Sequence, residues 1–231
     1  MFTRRSFVAA GAAASLSACV RPAAPVPVAS EPAQIIPPLP AFYAAVLDEP
    51  YPIPVVPEGV VPPHLWRQEV QNPFPEEAKG TIIVDPDAGY LHLVQSRETA
   101  MRYGAGTGAA AYAWNGIARL QFAREWPRWR VPDEMIARRP ELAPYSVANG
   151  GMDPGPGNPL GARALYLFQN GTDTLYRIHG ACEPQYLGKP VSSGCVRLLD
   201  QDAIDLYRRA PHGAKVHVLP SIMPKGLAAL Y

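Results

Sequence analysis

From Lys79 to Leu219 apolar and polar residues alternate in short runs, and clusters of Gly, Pro and Asp break the runs. KGTIIVD and GYLHLVQS have the β-branched content and two-residue period of half-buried strands, and the DPDAG between them supplies a turn, so together they predict a β-hairpin. AMRYGAG, IARLQFA, RALYLF, TLYRIH and AKVHVL share that texture and predict further strands. Helical spacing shows in two windows. PDEMIARR at 132–139 is one; LDQDAIDLYRR at 199–209 is the other, with Asp200 as the expected N-cap and Ala203, Ile204 and Tyr207 on one face. The prediction is a mainly β domain of roughly 150 residues, long enough to bury a core, with no internal repeat.

Upstream of Lys79 the texture changes. Thirteen of the 28 prolines fall between Pro22 and Pro63. Proline lacks an amide donor and fixes its own φ, which excludes helix and central strand and predicts an extended spacer. AFYAAVL at 41–47 is an apolar patch within it that can form a helical turn docked on the domain. The first residues read TRRSFV, an uncharged Ala-rich run, then LSAC ending at Cys19. The run is too short for a resident membrane helix and is expected to be a targeting segment. Arg4 and Arg5 resemble a twin-arginine export signal, and LSAC resembles a bacterial lipobox, in which Cys19 becomes the lipidated first residue. The competing expectation is an ordinary signal cut near Ala18, with Cys19 incidental. The expected organisation is an export signal at 1–18, a lipidated N-terminus and Pro-rich tether at 19–78, the mainly β domain at 79–220 and a tail at 221–231.

Charge narrows the partners. Twenty-one basic against 20 acidic residues leave +1, and loss of 1–18 with its two arginines leaves 19 against 20. Neither balance supplies the bulk attraction a nucleic acid or a membrane surface would need, so membrane contact is expected through the lipid alone. Three cysteines are too few for a disulfide scaffold.

Reactive side chains concentrate in RIHGACEPQYLGKPVSSGCVRLLDQDAIDLY. His179 ends a predicted strand, and Cys195 follows sixteen residues later, ahead of a predicted helix. A thiol of ordinary pKa is mostly protonated at neutral pH unless an imidazole or helix N-terminus favours the thiolate, and His179 is placed to do so. Gly194 permits a sharp turn that leaves backbone amides near the sulfur for a developing oxyanion. Spacing alone does not single out this pair.

The pattern HG-x-x-EP, a Gly-rich spacer, then S-x-GC-x-R resembles the signature of L,D-transpeptidases of the YkuD type. KGTIIVDPDAGYLHLV resembles the first hairpin of that family, AREWPRWRVPDEMIAR its Trp-rich connection and helix, and GNPLGARALYLF the strand leading to the site. The resemblance implies a mainly β, sandwich-like domain with short helices. It implies a Cys enzyme that takes the acyl group of peptidoglycan tetrapeptide stems as a thioester and passes it to an amine. Cys195 matches the nucleophile and His179 the base, with the carbonyl of Gly180 orienting the imidazole and the amides of Gly194 and Cys195 facing the oxyanion. Ser192 opens the final motif, and Arg197 stands where relatives have Asn or Arg; both are expected to meet substrate. Ser193 replaces the His that many members carry before Gly-Cys, and its hydroxyl can still donate a hydrogen bond. Cys182 stands where relatives often have Asn, either as a redox partner for Cys195 or as a small buried thiol.

The resemblance implies peptidoglycan stems as partners and a second stem or a protein as amine acceptor, and the export signal with its lipobox-like end implies a bacterial periplasmic location on a lipid anchor. No cofactor, metal or nucleic acid is implied. Alternatives are a non-catalytic peptidoglycan-binding lipoprotein and a carboxypeptidase or hydrolase of wall links. A zinc site would show two tight ligand pairs, and His179, Cys182 and Cys195 do not. Papain-like proteases place Cys before His. His64, His92 and His217 are expected to be structural or exposed. Trp114, Trp126 and Trp129 are either core or groove, and Arg163, Arg177 and Arg197 flank the site. PGPGNPLG lacks the strand, Lys-Ser pair and helix of a phosphate loop.

Overall fold

A computed structural model describes residues 37–108, 114–192 and 195–222. In chain order the strands are β1 (Gln68–Gln71), β2 (Ile82–Asp85), β3 (Tyr90–Val94), β4 (Thr99–Gly104), β5 (Thr107–Gly108) and β6 (Gly116–Glu125), then β7 (Arg163–Gln169), β8 (Thr172–His179), β9 (Pro190–Ser192), β10 (Val196–Arg197) and β11 (Lys215–Val218). Helix α1 (Asp133–Arg138) precedes β7, and α2 (Asp200–Arg209) lies between β10 and β11. The predicted hairpin forms as β2–β3, with Ile82 opposite Leu93 and Val84 opposite Leu91. The other five expected strands appear as β4, β6, β7, β8 and β11. The short β5, β9 and β10 carry too few residues for an alternation to show, and β1, QEVQ, holds a single apolar residue.

Among the described residues the strands make a mixed nine-stranded sheet in the order β1-β4-β3-β2-β11-β6-β7-β8-β10, and β5 pairs with β9 in a small parallel sheet. The chain is mainly β, as the alternation predicts. Alternate residues from both halves of the large sheet enter one cluster: Val84 and Leu91 from one side, Leu165 and Ile178 from the other, joined by Ala203 and Leu206 of α2. Only a strongly curled sheet can bury both halves on one cluster, which gives the sandwich-like form. Tyr103 of β4 fixes the far side by donating to Asp205 of α2 at 2.8 Å.

The expected spacer differs from the structure. Residues 37–78 are folded onto the domain, whereas 19–36 and Cys19 lie outside the described residues. The 41–47 patch does form a turn, a 3-10 helix over Ala41–Tyr43. Tyr43 is fully buried; its hydroxyl donates to Asp202 at 3.0 Å and accepts the Arg67 amide at 2.8 Å. Val46 and Ile53 bridge to each other, and the loop between them sends Glu49 to Arg163, with two bonds of 2.7 and 2.9 Å. β1 then adds an edge strand to β4. Proline forbids regular pairing, but it does not keep the intervening Tyr43, Ile53, Val56, Val61 and Leu65 out of a core.

Asp202 makes this docking sensitive to pH. Burial raises its carboxyl to about 7, against the opposing Arg67 charge and Tyr43 hydrogen bond. In the unfolded chain it ionises near ~3.9. The folded state therefore holds the extra proton between those values, so the stability from this group is full below ~3.9 and is lost as pH rises through about 7. Urea unfolding of wild type and Asp202→Asn across pH 4 to 8 should show that slope in wild type and its loss in the variant, setting aside other groups common to both. Tyr43→Phe should cost about 1–3 kcal/mol by stranding the carboxyl.

Candidate active site

β8 carries His179 at its end, paired antiparallel to β7 on one side and parallel to β10 on the other. In the parallel register Val196 lies opposite Ile178 and Arg197 opposite His179. Val196 and Ile178 are both in the core. Alternation therefore sends Arg197 and His179 to the other face, and two residues back it sends Cys195 and Arg177 there too. Strand spacing and rise put the Cα atoms of Cys195 and His179 roughly 8 Å apart on the diagonal, within side-chain reach.

His179 is buried, and its Nδ1 lies 2.8 Å from the carbonyl oxygen of Gly180. A carbonyl only accepts, so Nδ1 carries the proton and Nε2 keeps its lone pair. Burial lowers the imidazole to about 4, helped by the Arg197 and Arg177 charges and opposed by the Gly180 bond. Burial also raises the Cys195 thiol, against the Arg177 amide and the Arg177 and Arg197 charges. Both shifts favour the neutral forms. The resting pair is thiol and imidazole, not the ion pair expected from sequence, because the desolvation that surrounds it disfavours separated charge.

Cys195 lines a cleft of about 320 Å³ together with Arg177, Tyr166, Leu160, Trp129 and Arg130. The Trp-rich connection builds one wall, held to the following loop by bridges from Trp129 to Met152 and from Val131 to Ser146. Arg177 is fixed by Asp173 through two bonds of 2.7 Å and lies over the Tyr166 ring at 4.3 Å. Arg163 is taken by Glu49. Of the three arginines expected to flank the site, Arg197 alone has no carboxylate partner among the described residues, and its Nε has no hydrogen bond.

Ser192 ends β9, its backbone paired with Gly108. Ser193 and Gly194 lie outside the described residues. Gly180 is required by space, since a Cβ there would overlap the Asp200 carboxylate. Cys182 is buried with Tyr43, Leu65, Leu187 and Leu199, and burial pushes its thiol up to about 12. Its amide donates to the carbonyl of Leu198, three residues beyond Cys195, or roughly 10 Å of extended chain, more than a disulfide spans. Neither thiol is in a disulfide. The three tryptophans do not form one cluster: Trp129 lines the cleft, Trp126 donates to Glu49 and Trp114 stacks on Tyr176. His64 is exposed, His92 is buried against Phe74, and His217 lies beside Glu77.

Sequence reading missed Asp173, Glu49 and the use of Asp200. For Asp173 a signal existed, since it stands four residues before Arg177. For Glu49, 114 residues from Arg163, there was none.

Residues 79–218 match the profile described as YkuD, L,D-transpeptidase catalytic domain. A candidate L,D-transpeptidase from the ATP synthase subunits region of Fuscovulum blasticum is 31% identical over 104 residues, 45% of this chain and 49% of that protein. The probable L,D-transpeptidase YbiS of Escherichia coli is 40% identical over 106 residues, 46% of this chain and 32% of that one. The matched stretches thus span about half and about a third of these relatives. A solved structure from Brucella melitensis, described as a probable carnitine operon oxidoreductase, is 44% identical, covering 68% of this chain and 95% of that one with a TM-score of 0.46. That description names an activity of the Brucella protein. With the profile match spanning more than half of its residues, the chain belongs to the YkuD family of L,D-transpeptidase catalytic domains.

Proposed function

We propose that this chain is an L,D-transpeptidase that accepts the acyl group of a peptidoglycan tetrapeptide stem on Cys195 and passes it to an amine. The register of β10 on β8, which turns Cys195 and His179 to one face, together with the cleft that Cys195 lines, supports the proposal. Because the resting pair is neutral, the thiol proton moves to Nε2 of His179 as the sulfur attacks the carbonyl between the diamino acid and the terminal D-Ala. The tetrahedral oxyanion is met by the amides of Gly194 and Cys195, a role the family resemblance assigns. His179 returns the proton to the departing amine, D-Ala leaves, and a thioester remains. The acceptor amine attacks that thioester and gives its proton to Nε2, and the thiol is regenerated with a new amide bond. Proton transfer of this kind is worth about a hundred- to ten-thousand-fold in rate. Arg197, with no carboxylate partner among the described residues, is suited to the stem carboxylate, and the family resemblance assigns Ser192 and Ser193 to the same end of the substrate.

Incubation with a carbapenem, an acyl donor analogue, should add its mass to wild type and not to Cys195→Ala; an unmodified wild type would favour a binding protein instead. Muropeptide mass spectrometry should show cross-linked product in wild type only, whereas D-Ala release without cross-links would indicate hydrolysis. The imidazole loses its lone pair only on protonation near its lowered value of about 4. Acylation should therefore hold level down to about pH 5 and fall below it, and a midpoint near the ordinary imidazole value of ~6.5 would contradict the buried, neutral base. His179→Gln should slow acylation by about a hundredfold or more.

We further propose that residues 1–18 are an export signal and that Cys19 carries a lipid that holds the chain at a periplasmic membrane face. Labelled fatty acid should enter the wild-type protein and be absent from Cys19→Ala. Label retained in that variant would mean that Cys19 is not the acylated residue.

A further inference from the structure

Asp200 was expected to cap its own helix, and it does not. The capping position of α2 is Leu199, whose carbonyl takes the Asp202 and Ala203 amides at 3.0 and 2.9 Å. The Asp200 carboxylate turns away from the helix. Its Oδ1 accepts the Ala162 amide at 2.7 Å, just before β7, and the Ala181 amide at 3.1 Å, just after β8.

The Ala181 N–H and the Gly180 C=O belong to one planar peptide unit, and in a trans peptide they point in opposite directions. One end of that plane is gripped by Asp200, and the other end receives Nδ1 of His179 at 2.8 Å. The Gly180 amide before it is held as well, by the carbonyls of Leu160 and Arg163 at 3.2 and 3.1 Å. Ala181 has φ +56°, a left-handed backbone that a residue with a Cβ adopts at a cost, and the Asp200 bond is the restraint on its amide. Gly161 and Gly180 crowd the same carboxylate so closely that a Cβ at either would overlap it.

We infer that Asp200 is a positioning residue for the base: through one intervening peptide it fixes the Gly180 carbonyl, and so holds His179 as the Nδ1–H tautomer with Nε2 open to the thiol. The chain runs from carboxylate to peptide to imidazole, so each hydrogen bond polarises the next. This rests on the proposed role of His179.

The test uses the full chain with two readouts: the rate of Cys195 acylation by a carbapenem, and the side-chain ¹⁵N shifts of labelled His179. Asp200→Ala should slow acylation by about tenfold or more while the initial noncovalent affinity holds, and should give His179 a mixture of tautomers. Asp200→Asn, whose amide oxygen can accept the same two N–H groups, should recover most of the rate and a single tautomer. Should Asp200→Ala not fold, the same change is compared with Ala181→Gly alone, in which glycine removes the strain; a slower rate in the double variant supports the inference and equal rates overturn it. It is also overturned if Asp200→Ala keeps the wild-type tautomer and rate, or if Asn falls as far as Ala. If wild type is not acylated, or if His179→Gln is as fast, the proposed function fails instead, and the ¹⁵N shifts of wild type and Asp200→Ala still decide whether Asp200 orients the ring.

Discussion

The parallel pairing of two residues, Val196 and Arg197, with the end of β8 is the constraint on which the site depends. An antiparallel return could be made by a tight hairpin, but a parallel one needs a crossover, and residues 180–195 supply it. In-register pairing with Val196 turned into the core decides the face on which Cys195 emerges. A slip of one residue would send the sulfur inward and Val196 into the cleft. The hydrophobic demand of Val196, Ile178 and Leu198 thus sets the geometry of groups that do not themselves touch the core.

The second constraint is desolvation. The burial of His179 and Cys195 makes charge separation between them unfavourable, so the pair rests as thiol and imidazole, and in the proposed reaction the proton passes only as the sulfur attacks. Arg177 and Arg197 pull the other way at the sulfur, and Asp173 fixes and partly neutralises the first of them. On the proposed function, such a site favours a thiol that is quiet toward stray electrophiles and that reacts when a carbonyl is held beside it.

Much of the fold was legible because alternation is a local signal. The β2–β3 hairpin, β7, β8 and α2 lie where the pattern of Ile, Val, Leu and Tyr places them. The candidate site was legible in a different way: His179 and Cys195 stand out only through a motif resemblance, since one imidazole and one thiol sixteen residues apart mean little by themselves. What could not be read was carried by distance along the chain. Tyr43 meets Asp202 across 159 residues and Glu49 meets Arg163 across 114, so the arm looked like a spacer. Asp200 was misread for a subtler reason. A carboxylate at a helix start has two sets of amides to choose from, and the tertiary fold offered it those of Ala162 and Ala181.

The docked arm also separates two ideas of where this domain begins. The stretch that likeness to relatives delimits opens at residue 79, yet Glu49 neutralises the buried guanidinium of Arg163 at the start of β7 and Tyr43 satisfies a carboxyl buried in α2. Cutting the gene at the homology boundary would take from Arg163 its buried carboxylate partner and from Asp202 both Tyr43 and Arg67, and would uncover Leu187 and Leu199 to water. The smallest fragment that can stand by itself is therefore longer than the fragment evolution has kept recognisable.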